Sequence, residues 1–283
     1  MKDLSKLNII YISGYGRSGS TLLSMLLNTL PDVTNLGEVE NLYTIPDNNL
    51  PEDWKLLKNK NISENDNSFK IRYSGLSWYF KREKGFQLFK RYWIDLFNEL
   101  LEKQRTSVFV DASKSTYKSF TRPFYYKKAG AKVKMIHLVR DCKDVAISFE
   151  KGRNVSNSEQ LMKPKKGGAY RAIFNWFVVN VLSSLVYKKS FPDFYVLNYD
   201  ELMNNYDVEI KKLFIYLELD LPQNLLNKEK IILSEDISFS GNRVMLNESI
   251  TIKAYPPKRL AGIKGIIAKC ANTIYKLIEN GYK

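Results

Sequence analysis

One short segment constrains this chain more than any other: Gly14-Tyr15-Gly16-Arg17-Ser18-Gly19-Ser20-Thr21. Residues 7–13, LNIIYIS, lead into it as an apolar, β-branched run, the pattern of a buried parallel strand. Residues 20–30, STLLSMLLNTL, leave it with helical spacing and stop at Pro31. Glycines between a strand and a helix let the backbone turn tightly and aim its N–H groups at one point. The positive end of the helix dipole adds to that field, so the segment is built for an anion.

The spacing copies the phosphate loop G-x-x-x-x-G-K-[ST], with Ser20 where that pattern has Lys. In nucleotide triphosphatases the Lys reaches the β- and γ-phosphates and the Ser/Thr holds Mg²⁺. Its replacement argues against triphosphate hydrolysis and against a nucleotide kinase, a reading that strict Mg²⁺ dependence would revive. Arg17 instead sets a planar guanidinium fork beside the loop.

Downstream, strand and helix patterns continue to alternate. Residues 107–113 (SVFVDAS) and 132–141 (KVKMIHLVRD) read as strands, and 194–202 (FYVLNYDEL) as a strand running into a helix cap. Helical spacing marks 78–101, with Phe86, Phe89, Trp93, Leu96, Phe97 and Leu100 on one apolar face. Helices are also expected from 141, over 169–189 and over 208–217, and Ile263, Ile266, Ile267, Cys270, Ile274, Leu277 and Ile278 recur at helical period. The polar, Asn-rich stretch 46–68 reads as a long surface excursion. No repeat or linker interrupts this order. The expectation is a single α/β domain over residues 1–283, a central parallel sheet flanked by helices.

Composition narrows the partners. Lys and Arg number 44 against 30 Asp and Glu, a net +14 that calls for an anionic partner. Acidic and basic residues are interspersed, without a basic arm, helix-turn-helix, RNA-recognition motif or zinc pattern, which argues against nucleic acid. One His and two cysteines without a CxxC pair nearly exclude a Cys/His zinc site. Cys142 and Cys270 read as small buried residues of a reducing cytoplasm. The N-terminal apolar run is too short for a signal peptide, and 174–187 is too short and interrupted to span a bilayer, so a soluble cytoplasmic chain without its own anchor is expected.

The segment GYGRSGSTLLSMLL resembles the 5′-phosphosulfate loop of sulfotransferases that use 3′-phosphoadenosine 5′-phosphosulfate (PAPS). HLVRDCKDVAISFEKG (His137 to Gly152) is similar to that family's 3′-phosphate segment, an Arg at a strand end and a Ser eight residues on, here Arg140 and Ser148. VDASKS (110–115) resembles the segment carrying its catalytic Lys, here Lys114. NYDEL (198–202) resembles a turn that serves as a fold element, and FSGNR (239–243) a late loop near the cofactor that contributes Asn242. Some relatives carry a His shortly before that loop, and this chain has Ile237 there. The matched segments run from Asn8 to about Arg243.

The resemblance implies PAPS as donor, no metal, and an acceptor hydroxyl. Gly16, Arg17, Ser18, Gly19, Ser20 and Thr21 would hold the 5′ end of the donor, and Arg17 and Lys114 would stabilise the leaving phosphate. The base is a His in one branch and a Glu in a Gly-Glu segment in another, which includes tyrosylprotein sulfotransferases. The only His, His137, falls inside a strand, where a packed neutral ring is expected. Gly37-Glu38 supplies the alternative, so Glu38 is the expected base, with Glu40 second.

On the acceptor side, Tyr43, Trp54, Tyr73, Trp78, Tyr79, Phe80, Tyr92 and Trp93 are mostly expected in the core, some free to stack on a sugar. Lys163, Lys165 and Lys166 would be a solvated loop, a cover for the nucleotide or a contact to an anionic glycan. A carbohydrate acceptor is favoured over a small metabolite or a tyrosyl peptide.

Overall fold

Strand β1 (Asn8–Ser13) shares its side chains between two cores, as a strand buried on both faces must. Ile9 and Tyr11 point into one, with Phe97, Phe109 and Tyr126. Ile10 and Ile12 point into the other, with Leu23, Leu26 and Phe214. The computed structural model describes residues 4–61, 83, 86–87, 89–104, 106, 108–115, 119–151, 168–234, 238, 248–253 and 259–281. Residues 163–166, Asn242 and the aromatics from Tyr73 to Phe80 lie outside them.

β1 is the centre of a five-stranded sheet ordered β2-β3-β1-β4-β5. The other strands are β2 (Val33–Gly37), β3 (Val108–Asp111), β4 (Lys132–Val139) and β5 (Phe194–Asn198). All four pairings are parallel. The chain passes from β1 toward β2 and β3 on one side, then returns past β1 to β4 and β5. The carboxyl end of β1 is therefore a switch point, where ligands bind in open α/β sheets.

The helices cover both faces. α1 (Ser20–Leu27), α7 (Tyr199–Asn204) and α8 (Tyr206–Leu217) pack on the Ile10 side. α2 (Glu52–Asn61), α3 (Asp95–Gln104) and α4 (Arg122–Lys128) pack on the Ile9 side. α5 (Cys142–Glu150), α6 (Gly168–Ser190) and α9 (Gly262–Gly281) form a third cluster around Val139 and Trp176. Among the described residues one helix, α6, is long and apolar enough by length and composition to cross a membrane. It packs on α5, α9 and β4, and its inward residues include Trp176 and Tyr187. The parallel sheet flanked by helices is the expected architecture.

Several sequence expectations need correction. Within the supposed excursion 46–68, α2 buries Trp54 and Leu57; two apolar residues at i and i+3 suffice to dock a helix that is otherwise polar. β2 was not expected, because VTNLG carries two polar residues in five and lacks a clean alternation. Phe86, Phe89, Trp93, Leu96, Phe97 and Leu100 are buried as expected, but a π-helical turn at Lys90–Ile94 precedes α3. Cys142 is buried, whereas Cys270 is exposed, on the side of α9 turned away from Ala268, Ala271 and Tyr275.

A buried charge pair closes β3. Asp111 accepts 2.6 Å hydrogen bonds from Arg122 Nε and from the Tyr126 hydroxyl. The guanidinium also lies 3.8 Å from the centre of the Trp93 ring. Both charged side chains are almost completely enclosed. Removing one partner leaves the other charge uncompensated in the core. Arg122→Met is therefore expected to cost about 3–5 kcal/mol of folding free energy, read from denaturant unfolding. A loss below about 1 kcal/mol would show that the pair is not the brace described here.

Candidate active site

The glycine loop leaves β1 with Gly14 at φ 121°, a left-handed value where a Cβ would run into the Leu138 carbonyl. Arg17 (φ 69°) and Gly19 (φ 97°) also adopt positive φ, which turns successive N–H groups inward. The Ser18 hydroxyl donates to the Tyr15 carbonyl at 2.8 Å and pins the turn. α1 then starts at Ser20 with no side chain capping it, so its first-turn N–H groups face the loop. No acidic residue occupies that first turn. Ser20 is buried and Thr21 half-buried.

Gly19 is required for a second reason. A Cβ there would collide with the Tyr199 ring. Tyr199 opens α7, whose start Asn198 caps by accepting from the Asp200 and Glu201 amides at 2.9 and 3.1 Å. The same ring lies under the Arg140 guanidinium, 4.7 Å from its centre. Arg140 Nη1 reaches the Arg17 carbonyl at 3.4 Å. The NYDEL turn is thus a fold element, as its sequence suggested, and it supports both the loop and Arg140.

Arg140 follows β4 directly, and Asp141 caps α5 by accepting the Lys143 amide at 2.8 Å. Ser148 stands in the last turn of α5. Its neighbour Phe149 stacks on Tyr15 with ring centres 5.4 Å apart, and a Cβ on Gly16 would touch the Phe149 ring at 3.6 Å. α5 therefore lies along the glycine loop, and the two segments that carry the resemblance form one wall.

The opposite wall comes from the loop after β3. The Ser115 amide donates to the Gly14 carbonyl at 3.0 Å, and the Gly14 amide donates back to the Ser115 hydroxyl at 3.2 Å. Between Asp111 and Ser115 sits Lys114, held at φ 68°. Its carbonyl accepts from the Tyr11 hydroxyl at 2.5 Å and from the Ser119 hydroxyl at 3.0 Å. Asp111 Oδ1 accepts the Ser113 amide at 2.9 Å, so the brace at the end of β3 reaches the residue before Lys114.

Lys114 Nζ forms an ion pair with Glu38 Oε1, both side chains being mostly enclosed. Glu38 directly follows β2, and its Oε2 accepts from Asn41 Nδ2 at 3.3 Å. Glu40 takes a different position. Its backbone amide donates to Ser113 Oγ at 3.2 Å while its carboxyl points inward. Burial, reinforced by the Glu38 charge, pushes the Glu40 carboxyl up to about 8. Glu38 thus faces the lysine, and Glu40 behind it is a largely neutral acid at neutral pH.

His137 is buried in β4, its Nδ1 3.1 Å from the Ser13 hydroxyl and its ring stacked on Phe194. Burial lowers it to about 3, which leaves a neutral packing residue. Tyr43, Trp54, Tyr92 and Trp93 are all in the core.

Glu38, Lys114, the glycine loop and Arg140 thus meet along the carboxyl edge of the sheet. Sequence reasoning missed the residues that hold them: Tyr11, Asp111, Ser115, Ser119, Arg122 and Tyr199. Asp111, Ser115 and Tyr199 lie in segments already singled out, VDASKS and NYDEL, and Asp111 carried a further signal of its own, a charge at the end of an apolar strand.

Comparisons with known proteins agree with this geometry. By sequence, no curated protein matches the chain significantly. The sulfotransferase domain of the Synechococcus PCC 7002 olefin synthase superposes with a TM-score of 0.54 at 19% identity, covering 95% of this chain and 94% of that one. The sulfotransferase domain from the curacin biosynthetic pathway superposes with a TM-score of 0.52 at 18% identity, covering 94% and 98%. At such identity these likenesses speak for the fold. The family model described as a sulfotransferase domain matches residues 8–243, from the first residue of β1 to the end of the FSGNR segment, and on that match the chain belongs to the sulfotransferase family.

Proposed function

We propose that this sulfotransferase moves the sulfuryl group of PAPS onto an acceptor hydroxyl, with Glu38 as base and Lys114 as the cation at the leaving phosphate. The observation that carries the reading is the Lys114–Glu38 pair, anchored beside the glycine loop by the Gly14–Ser115 exchange of hydrogen bonds. The residues present suit the donor: two glycines whose missing side chains leave the loop close to its supports, an uncapped helix start, and Arg17 and Arg140 on one side. PAPS supplies the sulfuryl group and a phosphate leaving group.

Glu38 takes the proton from the acceptor hydroxyl as the oxygen attacks sulfur. Once neutral, Glu38 no longer attracts Lys114, and Nζ can follow the negative charge to the oxygen of the breaking S–O bond. Arg17 and the α1 amides hold the phosphate in line, and Arg140 with Ser148 binds the 3′-phosphate. Glu40 fits poorly as the base, since its proton is already in place at neutral pH and its carboxyl is turned inward. The acceptor we propose is a carbohydrate hydroxyl, in the cytoplasm, and the +14 net charge favours an acidic glycan. A screen with labelled PAPS across polysaccharides, sugars, phenols and tyrosyl peptides tests it, and label in phenols or tyrosyl peptides alone would reject the glycan.

Glu38→Gln is expected to lower kcat about 10²–10⁴-fold while adenosine 3′,5′-bisphosphate binds as before. Full turnover in that variant would remove Glu38 from the mechanism. Arg140→Ala is expected to weaken the same bisphosphate about 10–100-fold and adenosine 5′-phosphate hardly at all. Equal losses for both ligands would contradict its assignment to the 3′-phosphate. Glu40 gives a pH signature. Its folded value of about 8 lies above the ordinary 4.5, so the folded chain holds a proton that the unfolded chain releases. Its contribution is full below pH 4.5 and is lost as pH rises to about 8. Glu40→Gln should flatten the stability–pH curve across that window, and an unchanged slope would refute the raised value.

A further inference from the structure

Helix α9 carries two apolar faces, and only one is used by the fold. Ala268, Ala271 and Tyr275 pack into the cluster with Trp176, and Asn272 accepts the Cys142 amide at 3.1 Å. Of the seven residues that carry the helical period in the sequence, Ile263, Ile266, Ile267, Cys270, Ile274 and Leu277 are exposed instead, and Ile278 is half-buried. Ile263, Ile266 and Leu277 are 68%, 65% and 68% accessible. At 3.6 residues per turn these six positions form one continuous stripe along about four turns. A row of large apolar residues left open along a helix marks an interaction surface rather than scattered exposure.

The charges beside the stripe indicate the partner. Lys269 and Lys276, seven residues apart and both exposed, lie on one line along its flank. At the start of the helix Arg259, Leu260, Gly262, Gly265, Ile266 and Lys269 line an open groove of about 410 Å³, in which two cations adjoin apolar carbon. The acidic residue of α9, Glu279, is four residues from Tyr275 and seven from Asn272, so it belongs to the side packed on the fold. Packed antiparallel, a second copy of this helix would set lysines against lysines. A surface with negative charge above an apolar layer satisfies both features at once.

We propose that α9 docks this protein on an anionic lipid bilayer. The stripe would lie in the plane of the interface and bury its isoleucines at the boundary of the acyl chains. Lys269, Lys276 and Arg259 would meet headgroup phosphates. Docking of this kind is peripheral and reversible, and it leaves the catalytic edge of the sheet in place. It is independent of the donor and acceptor chemistry, and its test reads no activity.

The test is flotation of the full chain with vesicles of equal parts phosphatidylcholine and phosphatidylglycerol, compared with phosphatidylcholine alone. Three surface cations predict binding about a hundred-fold stronger on the anionic vesicles, collapsing at high salt. Ile266→Glu combined with Leu277→Glu should abolish flotation without moving the thermal unfolding midpoint, since both side chains are exposed. Lys269→Glu with Lys276→Glu, which keeps the stripe, should cost about ten-fold or more on anionic vesicles only. No binding, or equal binding to both vesicle types, would overturn the proposal. So would a dimer in light scattering that the Ile266/Leu277 variant dissociates, because the stripe would then belong to a second copy.

Discussion

The placement of Lys114 depends on the buried charge pair of Asp111 and Arg122. Asp111 ends β3 inside the core and is tolerable there only because Arg122 and Tyr126 satisfy one carboxylate oxygen and the Ser113 amide the other. These bonds fix the direction in which the chain leaves the strand. Three residues after Asp111 the backbone turns left-handed at Lys114, with its carbonyl taken by Tyr11 and Ser119. The next residue is bonded in both directions to Gly14. The glycine loop and Lys114 are thus held in one frame, β1 contributing Tyr11 and leading into the glycine turn. A buried ion pair is weak evidence for stability, but here it sets the direction of a loop.

Two neighbouring carboxylates illustrate how position divides labour. Glu38 and Glu40 are separated by one residue, and a 3₁₀ turn starting at Val39 sends them to opposite sides. One faces a cation at the edge of the sheet, and the other faces inward, where desolvation keeps its proton on. Identical groups one residue apart thereby meet different surroundings, and burial raises the carboxyl of Glu40.

Much of this was legible in the sequence, for identifiable reasons. β1, its glycine turn and α1 are local patterns, and local patterns survive into the fold. Arg140 and Glu38 follow directly on a strand and Lys114 stands three residues beyond one, so placing the strand also placed the residue; Glu38 is the exception in that its strand went unread while its Gly-Glu neighbourhood did not. The partners of these residues were hidden because they come from far along the chain. Tyr11 reaches a carbonyl 103 residues away, and nothing in the strand's composition distinguishes it from a packing tyrosine. α2 was obscured because only Trp54 and Leu57 tie a polar helix to the core. The isoleucines of α9 had helical period, yet periodicity states which residues share a face and not what that face meets.

The Tyr199 ring touches the space denied to Gly19 and lies under the guanidinium of Arg140. One rigid aromatic therefore gauges the gap between the amides that begin α1 and the cation that ends β4. On the proposed reading, in which the loop and Arg140 hold two anionic groups of one ligand, its breadth would set how far apart those groups must be. A ligand too short or too long would forfeit one of the two contacts whatever its charge. A smaller side chain at this position would remove the collision with a Cβ at position 19 but not the strain of its φ of 97°, and it would also take away the ring beneath Arg140. On the proposed reading, selectivity for the length of the donor would be stored in the packing beneath the loop.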